Sequence, residues 1–390
     1  MQAAIGRRWE EPAPVDMTCT RAERRFDPHM GTPKHVRPAP AAASPVPGEH
    51  SPTLSYLFIE VTTACNLACL HCGAECRRGG EKKHLSVDAI LKVLRDIRRH
   101  HDPRGITVAL TGGEPLCYPD LFQLGREITA LEFSWGLVTN GYAWTPDKMR
   151  QAYGAGLHSI SVSLDGLSDE HDWLRGKEGA FSKAIETISM LRRYPYWKAM
   201  DVVTCVHQRS LPTLDRLYLL LRALGVGDWR LYTLSPGRPA ADHPELYLTK
   251  AQFREMIEKI KAFRAKHELH VNYSESGYLG PKVESQVRDY PYFCQAGIHV
   301  AGIMVNGDIL ACPNIDRRFK QGNIHTDSFS DVWANKYQEF RDRSWMKTGT
   351  CATCSEWDRC LGNSFHLRDP DTGRTRLCHC REYGLLNGDR

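Results

Sequence analysis

Short apolar runs alternate with amphipathic stretches along the chain between residues 56 and 234. An apolar run of this kind predicts a buried strand, whereas apolar residues three and four positions apart predict one face of a helix. The predicted strands are residues 56–61, 105–110, 134–139, 159–164, 200–206 and 228–234. The predicted helices are residues 86–100, 181–193, 214–224 and 250–266.

Repeated strand–helix units predict an α/β fold with a parallel sheet, because right-handed crossovers return each strand beside the previous one. Six units, short of the eight in a closed barrel, predict a partial (β/α)6 barrel of the TIM type. Residues that bind ligands in such sheets come from the loops at the carboxyl ends of the strands. The chemistry of this chain is therefore expected in those loops.

The regions on either side of the barrel differ from it in composition. Residues 1–52 are rich in Pro and Ala without a sustained hydrophobic period, which predicts a disordered tail. The barrel is predicted to cover residues 53–249, and residues 250–290 are predicted to form a helical linker. Residues 291–390 are rich in turns, Gly and Cys. This last region is predicted to be a small domain that bound metal stabilises.

Composition adds one unusual feature, which is 14 cysteines among 390 residues. The chain shows no apolar core of a signal peptide and no window that approaches ~18 uninterrupted apolar residues. In a reducing cytoplasm, clustered cysteines indicate metal or iron–sulfur ligands rather than disulfides. The net charge of +5 is too small for a dedicated nucleic-acid binder. The sequence therefore predicts a soluble cytoplasmic protein that binds neither membranes nor nucleic acid.

The sharpest motif is a cysteine triplet, Cys65, Cys69 and Cys72, directly after the first predicted strand. Three thiolates at this spacing can bind three irons of a 4Fe-4S cube and leave the fourth iron open to an exogenous chelator. Zinc is the alternative, with Cys76 as a fourth ligand. The position of the triplet at the carboxyl end of a strand favours a reactive site over a structural zinc site.

This triplet resembles the CxxxCxΦC signature of the radical S-adenosylmethionine (SAM) enzymes, with His71 at the aromatic position Φ. A second motif, TGGEP after the second predicted strand, resembles the GGEP segment of that family. The resemblance implies that Gly112, Gly113 and Glu114 bind the methionine moiety of SAM. Glycines permit a close backbone approach, and a glutamate can bind the ammonium group.

Further strand ends are similar to those of the family. The resemblance implies that Asn140, Ser163 and Asp165 surround the ribose and methionine groups, and that Arg175 pairs with the methionine carboxylate. An ordinary alternative exists, because Asn-Gly and Asp-Gly pairs are common in turns and a loop arginine is usually solvated. The catalytic acid or base is not identified by the sequence. Three residues lie near the ends of the last two predicted strands: His207, Tyr232 and Arg238. Each of them either faces the cavity or has a structural role, and the sequence does not favour one over the other.

The C-terminal cysteines resemble the SPASM domain, an iron–sulfur extension of enzymes that modify peptides and proteins. The matching cysteines are Cys294, Cys312, Cys351, Cys354 and Cys360. Two features depart from the family pattern. Ser364 stands where the pattern places a cysteine, and no cysteine lies between Cys205 and Cys294.

The resemblance implies an outer auxiliary cluster whose ligands are Cys351, Cys354, Cys360 and one of Cys378 or Cys380. Zinc at this site is the alternative.

The inner auxiliary cluster would have Cys294 and Cys312, with the other of Cys378 or Cys380 as a third ligand. Its remaining iron would bind substrate, or His366 or Ser364 would complete the site, or the inner cluster is absent. One or two auxiliary 4Fe-4S clusters are therefore expected.

Together these resemblances imply a radical SAM oxidoreductase that reductively cleaves SAM to a 5'-deoxyadenosyl radical, which abstracts hydrogen from a substrate. The SPASM resemblance implies a ribosomally synthesised peptide as substrate, which gains a crosslink or an oxidised side chain. The alternative is a dehydrogenase or epimerase of a small molecule in secondary or sugar metabolism. A one-electron donor such as flavodoxin or ferredoxin is implied. Because residues 1–52 are too Pro-rich for a winged-helix module, leader-peptide recognition, if it is used, would need a separate leader-peptide-binding protein or another surface.

Overall fold

The computed structural model describes residues 52–73, 76, 82–193, 197–234, 243–274 and 277–385. The predicted disordered tail therefore lies outside the described residues except for Pro52, and Arg238 lies outside them as well.

The strands form one sheet in the order β10-β9-β8-β1-β2-β3-β4-β5-β6-β7. Their bounds are β1 Tyr56–Thr62, β2 Thr107–Gly112, β3 Ser134–Thr139, β4 Ser159–Ser163, β5 Ala199–Val206, β6 Asp228–Thr233, β7 His270–Tyr273, β8 Val300–Ile303, β9 Asp308–Leu310 and β10 Gly322–Asn323.

The helices in the described part of the chain cover the sheet and build the C-terminal region. Their bounds are α1 Val87–His100, α2 Leu121–Ala130, α3 Pro146–Gly154, α4 Ser168–Arg175, α5 Ala180–Arg193, α6 Leu214–Ala223, α7 Lys250–Ala265, α8 Pro281–Val287, α9 Phe329–Asn335, α10 Gln338–Arg341, α11 Trp357–Cys360 and α12 His379–Glu382.

The parallel partial barrel predicted from the sequence is confirmed. Strands β1 to β7 pair in parallel with their neighbours in chain order. The six predicted strands each overlap an observed one, and the largest offset is at β2. That strand begins two residues late because Pro103–Gly105 forms a 3-10 turn, which the Asp102 side chain caps through the Arg104 N–H.

Residues 250–290 do more than link two domains, which corrects the prediction of a helical linker. Helix α7 leads into β7, which pairs in parallel with β6 and adds a seventh strand to the barrel. The strand escaped prediction because it has only four residues, of which just Val271 and Tyr273 are buried. An apolar signal this short is not distinguishable from a loop by periodicity.

The C-terminal region begins inside the same sheet. Strand β8 pairs in parallel with β1 on the side opposite β2, and β9 and β10 continue the sheet in antiparallel pairs. The turn between β8 and β9 contains Asn306 and Gly307, and Gly307 has φ +85°. An Asn-Gly pair is a strong hairpin signal because both positions tolerate positive φ. The first strand of the barrel is thus central in the sheet, and its carboxyl end is flanked by loops from both regions.

A buried carboxylate joins the barrel to the C-terminal helices. Asp96 on α1 accepts hydrogen bonds from the Ser328 hydroxyl at 3.0 Å and from the Ser330 N–H at 2.9 Å, at the amino end of α9. Although partial burial alone would raise the pKa of Asp96, these donors lower it. An anion at a helix amino end is favoured by the helix dipole, so α9 is held against α1.

Candidate functional site

The cysteine triplet lies in the loop that follows β1, and the turn after β2 fixes one side of that loop. The Gly113 N–H donates to the Thr62 carbonyl at 2.7 Å, and the Glu114 N–H donates to the Ala64 carbonyl at 2.8 Å. A Cβ atom on Gly113 would lie 2.1 Å from the Ala64 oxygen, which is too close for any other residue. The glycines are thus required by the cysteine loop, and their predicted contact with the methionine moiety stays a prediction.

The carboxyl end of α4 holds the other side of the loop. The Ala68 N–H donates to the Arg175 carbonyl at 3.1 Å, and the Leu70 N–H donates to the Leu174 carbonyl at 2.8 Å. Gly176 ends the helix in the left-handed conformation with φ +63°, and a Cβ there would lie 2.5 Å from the Ala68 oxygen. The backbone around Cys69 is therefore clamped between two rigid elements.

The three cysteines of the triplet are near enough to one another for their charges to interact. Burial raises the pKa of the Cys65 thiol to about 11, and the charges of Cys69 and Cys72 act in the same direction. Cys76 shares a hydrogen bond with Cys72, which raises the pKa of Cys76. Three neighbouring thiols in the loop after a central strand suit a 4Fe-4S cube with one open iron. The thiols of Cys65, Cys69 and Cys72 would hold that cube.

Glu114 connects the ends of β2 and β3. Its buried carboxylate accepts hydrogen bonds from the Thr139 hydroxyl at 2.7 Å, the Asn140 N–H at 2.8 Å and the Leu116 N–H at 3.2 Å. Burial raises its pKa, and these donors oppose the shift. Because a carboxylate offers about four acceptor positions, protein donors fill most of them. The predicted contact with the SAM ammonium group stays a prediction.

Asn140 contacts the cysteine loop directly. Its side-chain nitrogen donates to the Asn66 side-chain oxygen at 2.8 Å and lies 3.9 Å from the Cys65 sulfur. Its side-chain oxygen accepts from the Tyr142 N–H at 2.9 Å. The side chain predicted to contact SAM thus also positions the first cysteine of the triplet.

A buried ion pair links β4 and α4 to the triplet. The Arg175 Nε donates to Asp165 Oδ2 at 2.6 Å, and Arg175 Nη1 donates to the Cys69 sulfur at 3.7 Å. The other Asp165 oxygen accepts from the Cys205 N–H at 2.9 Å on β5. Burial alone would raise the pKa of the Asp165 carboxyl, but the Arg175 charge lowers it to about 2. The predicted pairing of Arg175 with the methionine carboxylate stays a prediction, and the structure adds Asp165 as its internal partner.

Three histidines, His71, His171 and His207, lie near this ion pair, and no motif or spacing in the sequence groups them. The His171 Nδ1 accepts from the Asp165 N–H at 3.0 Å. Among the described residues, no hydrogen-bond partner reaches His71 Nδ1, His171 Nε2 or either ring nitrogen of His207. Burial lowers the pKa of each imidazole to about 4, so all three are neutral near pH 7. Buried polar atoms without partners are costly, which indicates that a polar ligand completes this site.

The remaining residues predicted at the strand ends are Ser163 on β4, Tyr232 on β6 and His207 directly after β5. Ser163 ends β4, is half-buried, and pairs with Val203 of β5 in the sheet register. Tyr232 on β6 shares a hydrogen bond with the Cys205 thiol, and burial raises the pKa of both groups. The His207 ring lies 5.4 Å from the Trp173 ring between their centroids. The carboxyl ends of β4, β5 and β6 thus converge beside the cysteine loop.

A cavity in the C-terminal region collects cysteines. The five cysteines that line it are Cys351, Cys354, Cys360, Cys378 and Cys380. The pKa of the Cys360 thiol is raised to about 12. Burial is the main cause, and the charges of Cys378, Cys351 and Cys354 act in the same direction. Arg368 Nη2 donates to the Cys351 sulfur at 3.3 Å. This donor set fits the predicted outer 4Fe-4S cluster, for which four of the five thiolates suffice.

The inner cluster site does not receive the third cysteine that the resemblance implied. Both Cys378 and Cys380 line the outer cavity together with Cys351, Cys354 and Cys360, and neither is placed beside Cys294 and Cys312 by that lining. Ser364 is fully buried, and its hydroxyl hydrogen-bonds the Tyr292 hydroxyl. The residues present therefore do not fit an inner 4Fe-4S cube held by three cysteines.

Comparison with known proteins agrees with these two sites. Residues 59–221 match the model of the radical SAM superfamily, and residues 294–355 match the SPASM iron–sulfur cluster-binding domain. The mycofactocin maturase MftC of Mycobacterium ulcerans is 30% identical over 309 residues, which cover 78% of this chain and 80% of that protein. The chain belongs to the radical SAM superfamily. Its family implies a 4Fe-4S cluster, SAM and auxiliary iron–sulfur binding.

Other similar proteins carry different names. The AdoMet-dependent heme synthase of Methanosarcina barkeri is 27% identical over 318 residues, which cover 78% of this chain and 89% of that protein. The crystal structure of Streptococcus suis SuiB bound to S-adenosylmethionine superposes with a TM-score of 0.65 and 17% sequence identity. The match covers 84% of this chain and 77% of the SuiB chain. The structure of anSMEcpe with bound AdoMet covers 85% of this chain and is matched over 95% of its own, with TM-score 0.68 and 16% identity. The two structures show that this radical SAM protein shares their fold.

The described helices include none that is long and apolar enough to cross a lipid bilayer.

Proposed function

We propose that this radical SAM protein is a peptide maturase, an oxidoreductase that forms a crosslink or an oxidised side chain in a ribosomally synthesised peptide. The observation that carries the proposal is the presence of two thiol sites in one chain, the triplet after β1 and the five-cysteine cavity of the C-terminal region. This chain matches the models of both the radical SAM superfamily and the SPASM domain, and one of its relatives is named mycofactocin maturase. When bound, the cluster and SAM supply a radical that abstracts hydrogen from an unactivated position.

The residues of this chain have separate tasks in this proposal. Cys65, Cys69 and Cys72 hold the cluster, and the clamped backbone on either side fixes their positions. The turn at Gly112–Glu114 and the strand-end residues Asn140, Ser163, Asp165 and Arg175 bind SAM directly or position its neighbours. His207 offers a neutral imidazole to the bound ligand, because both of its ring nitrogens lack partners among the described residues.

The proposal also includes an electron donor, a protein that binds the leader peptide, and a cellular compartment. A one-electron donor such as flavodoxin or ferredoxin reduces the enzyme, and a separate protein presents the leader peptide. The cytoplasm is the proposed compartment, because its thiols stay reduced and available as ligands.

Mass spectrometry tests the proposal. The full chain is reconstituted with iron and sulfide without oxygen, then incubated with dithionite, SAM and each short peptide encoded beside its gene. We expect 5'-deoxyadenosine together with one peptide that has lost two hydrogens, whereas the variant with Cys65, Cys69 and Cys72 replaced by Ala yields neither. Formation of 5'-deoxyadenosine while every such peptide keeps its mass would refute the peptide assignment.

A small-molecule substrate, specifically a tetrapyrrole, is the second candidate. It is favoured by the relative named heme synthase and by the three neutral imidazoles around the Asp165–Arg175 pair. Neutral imidazole nitrogen is a common ligand of haem iron. Titration with an iron porphyrin tests this candidate through the visible absorption band of the porphyrin. A band shift in the wild type that His207→Phe abolishes would favour the tetrapyrrole over the peptide, and an unchanged spectrum would count against it.

A further inference from the structure

We propose that this chain holds a single auxiliary cluster, in the five-cysteine cavity, and that side chains fill the place of a second one. Tyr292, Ser364 and Arg343 are the residues that fill it, and we call them the inner network. The inference concerns the cofactor content of the SPASM region and holds for either candidate substrate.

The first argument is the distribution of sulfur. All five cysteines from residue 351 onward line the outer cavity. Cys380 is also tied down there, because its thiol donates to the Tyr278 carbonyl at 3.4 Å. Cys294 and Cys312 are then the two cysteines left for an inner site, which is short of the three or four thiolates that usually hold a cube.

The second argument is the state of Ser364, which stands where the family pattern has a cysteine. Its side chain is fully buried, and its hydroxyl is hydrogen-bonded to the Tyr292 hydroxyl. Tyr292 is itself anchored, because its N–H donates to Glu284 Oε2 at 2.7 Å. The other oxygen of Glu284 accepts from the Leu279 N–H at 2.7 Å. Ser364 is therefore part of an internally bonded core.

The third argument is the way Arg343 packs. Its guanidinium lies 4.3 Å above the Phe293 ring and 5.2 Å above the Phe365 ring, measured to the centroids. It donates to the backbone carbonyls of Phe340, at 3.1 Å, and of Cys294. Arg343 as a whole residue is only 5% exposed, so its side chain occupies interior volume beside Cys294.

The outer site gives a direct contrast. There Arg368 donates to the sulfur of Cys351, as an arginine beside a cluster ligand would. Arg343 instead donates to the backbone oxygen of Cys294 and stacks between two rings. Arg368 thus contacts a ligand sulfur, whereas Arg343 contacts backbone oxygens and two rings, and its Nη1 is buried without a partner in the described chain.

Iron and acid-labile sulfide analysis of the reconstituted full chain tests the proposal. We expect about eight iron atoms per chain, four for each of two cubes. Replacing Cys65, Cys69 and Cys72 by Ala should remove about four, and replacing Cys351 and Cys354 by Ala should also remove about four. The matched variant with Cys294 and Cys312 replaced by Ala should keep the wild-type iron content and the wild-type electron paramagnetic resonance spectrum after reduction.

A second pair of variants keeps the result interpretable if an Ala variant misfolds. Ser364→Ala and Tyr292→Phe each remove one hydroxyl of the inner network and should leave the iron content unchanged. Circular dichroism identifies folded samples before iron is counted. About twelve irons per chain in the wild type would overturn the proposal, and so would a loss of about four irons in a folded Cys294 and Cys312 variant or in Ser364→Ala. These results leave the peptide assignment untouched, because it is decided by product mass.

Discussion

Arg175 and Asp165 form a buried ion pair in which Nε and Nη2 of the arginine lie 2.6 and 2.5 Å from the same carboxylate oxygen. The remaining guanidinium nitrogen of Arg175 lies 3.7 Å from the Cys69 sulfur. One arginine thus connects the end of α4, the end of β4 and the middle cysteine of the triplet. Because both partners are buried, removing either one leaves an uncompensated group inside the barrel.

Asp165→Asn should therefore destabilise the protein by about 3 to 5 kcal/mol, since the Arg175 charge loses its buried partner. Urea unfolding of the protein without iron measures this loss directly. Asp147→Asn is the matched control, because Asp147 pairs with Arg150 on the surface and its side chain is 75% exposed. The control should change stability by less than about 1 kcal/mol. Equal effects of the two substitutions would contradict the importance assigned to burial.

Gly113→Ala should displace the cysteine loop, because the new Cβ would meet the Ala64 carbonyl oxygen at 2.1 Å. We expect a folded protein that loses most of the iron of the triplet site, about four atoms per chain, together with SAM cleavage. Gly105→Ala is the control, since a Cβ at Gly105 meets no atom within 4 Å. Retention of both iron and SAM cleavage in Gly113→Ala would show that the loop can move away without loss.

The sequence predicted the barrel well where the apolar signal is strong. Strands β1 to β6 were predicted because each buries a run of apolar side chains, as Leu57, Ile59 and Val61 do in β1. Strands β7 and β8 were missed because each has four residues, and their pairing is set by the whole sheet. The cysteine triplet was found from spacing alone, since local spacing determines its geometry.

The hydrogen-bond partners of the site residues could not be predicted from the sequence. Glu114 and Thr139 lie 25 positions apart, and their hydrogen bond depends on the register between β2 and β3. The placement of Cys378 in the outer cavity likewise depends on how residues 361–377 fold back. Spacing across such a connection carries no distance information, which is why the ligand sets stayed open.

His207→Phe should stabilise the protein in the absence of ligands by about 1 kcal/mol, because it removes two buried polar atoms without partners in the described chain. The same change should weaken turnover, since the proposed contact with the bound ligand is lost. His171→Phe is the contrast, because it removes the acceptor of the Asp165 N–H and should destabilise the protein by about 1 to 3 kcal/mol. Urea unfolding measures both variants, and a destabilised His207→Phe protein would argue that the imidazole has a structural role.

His270 makes the stability of the β6–β7 edge depend on pH. Its ring nitrogens lie 2.7 Å from Asp228 Oδ1 and 2.7 Å from Asp289 Oδ2. The hydrogen bond to Asp228 is the main cause that raises the pKa of His270, and Asp289 adds to it. A raised folded pKa means that the stabilisation is complete below the unfolded value of about 6.5 and is lost as pH rises through the folded value.

His270→Gln should therefore lower the free energy of unfolding at pH 6 by less than about 1 kcal/mol, because the pair is half exposed. At pH 8.5 the difference from the wild type should shrink, since the wild-type imidazole loses its proton as the pH rises through its raised folded pKa. Urea unfolding at the two pH values measures the change. A difference that grows with pH would show that the sign of the linkage is reversed.

Cys378 and Cys380 should differ in their effect on the auxiliary cluster, although both line its cavity. The charges of Cys351 and Cys354 raise the pKa of Cys378, after the effect of burial, which places its sulfur among the ligand thiols. The charges of Cys378, Cys360 and Cys354 act on Cys380 as well, but its thiol also donates to the Tyr278 carbonyl and the residue is 4% exposed. We expect Cys378→Ala to lose the auxiliary cluster signal in electron paramagnetic resonance, and Cys380→Ala to retain it with a stability loss of about 1 kcal/mol from the deleted hydrogen bond. The reverse pattern would identify Cys380 as the fourth ligand and Cys378 as the spare thiol.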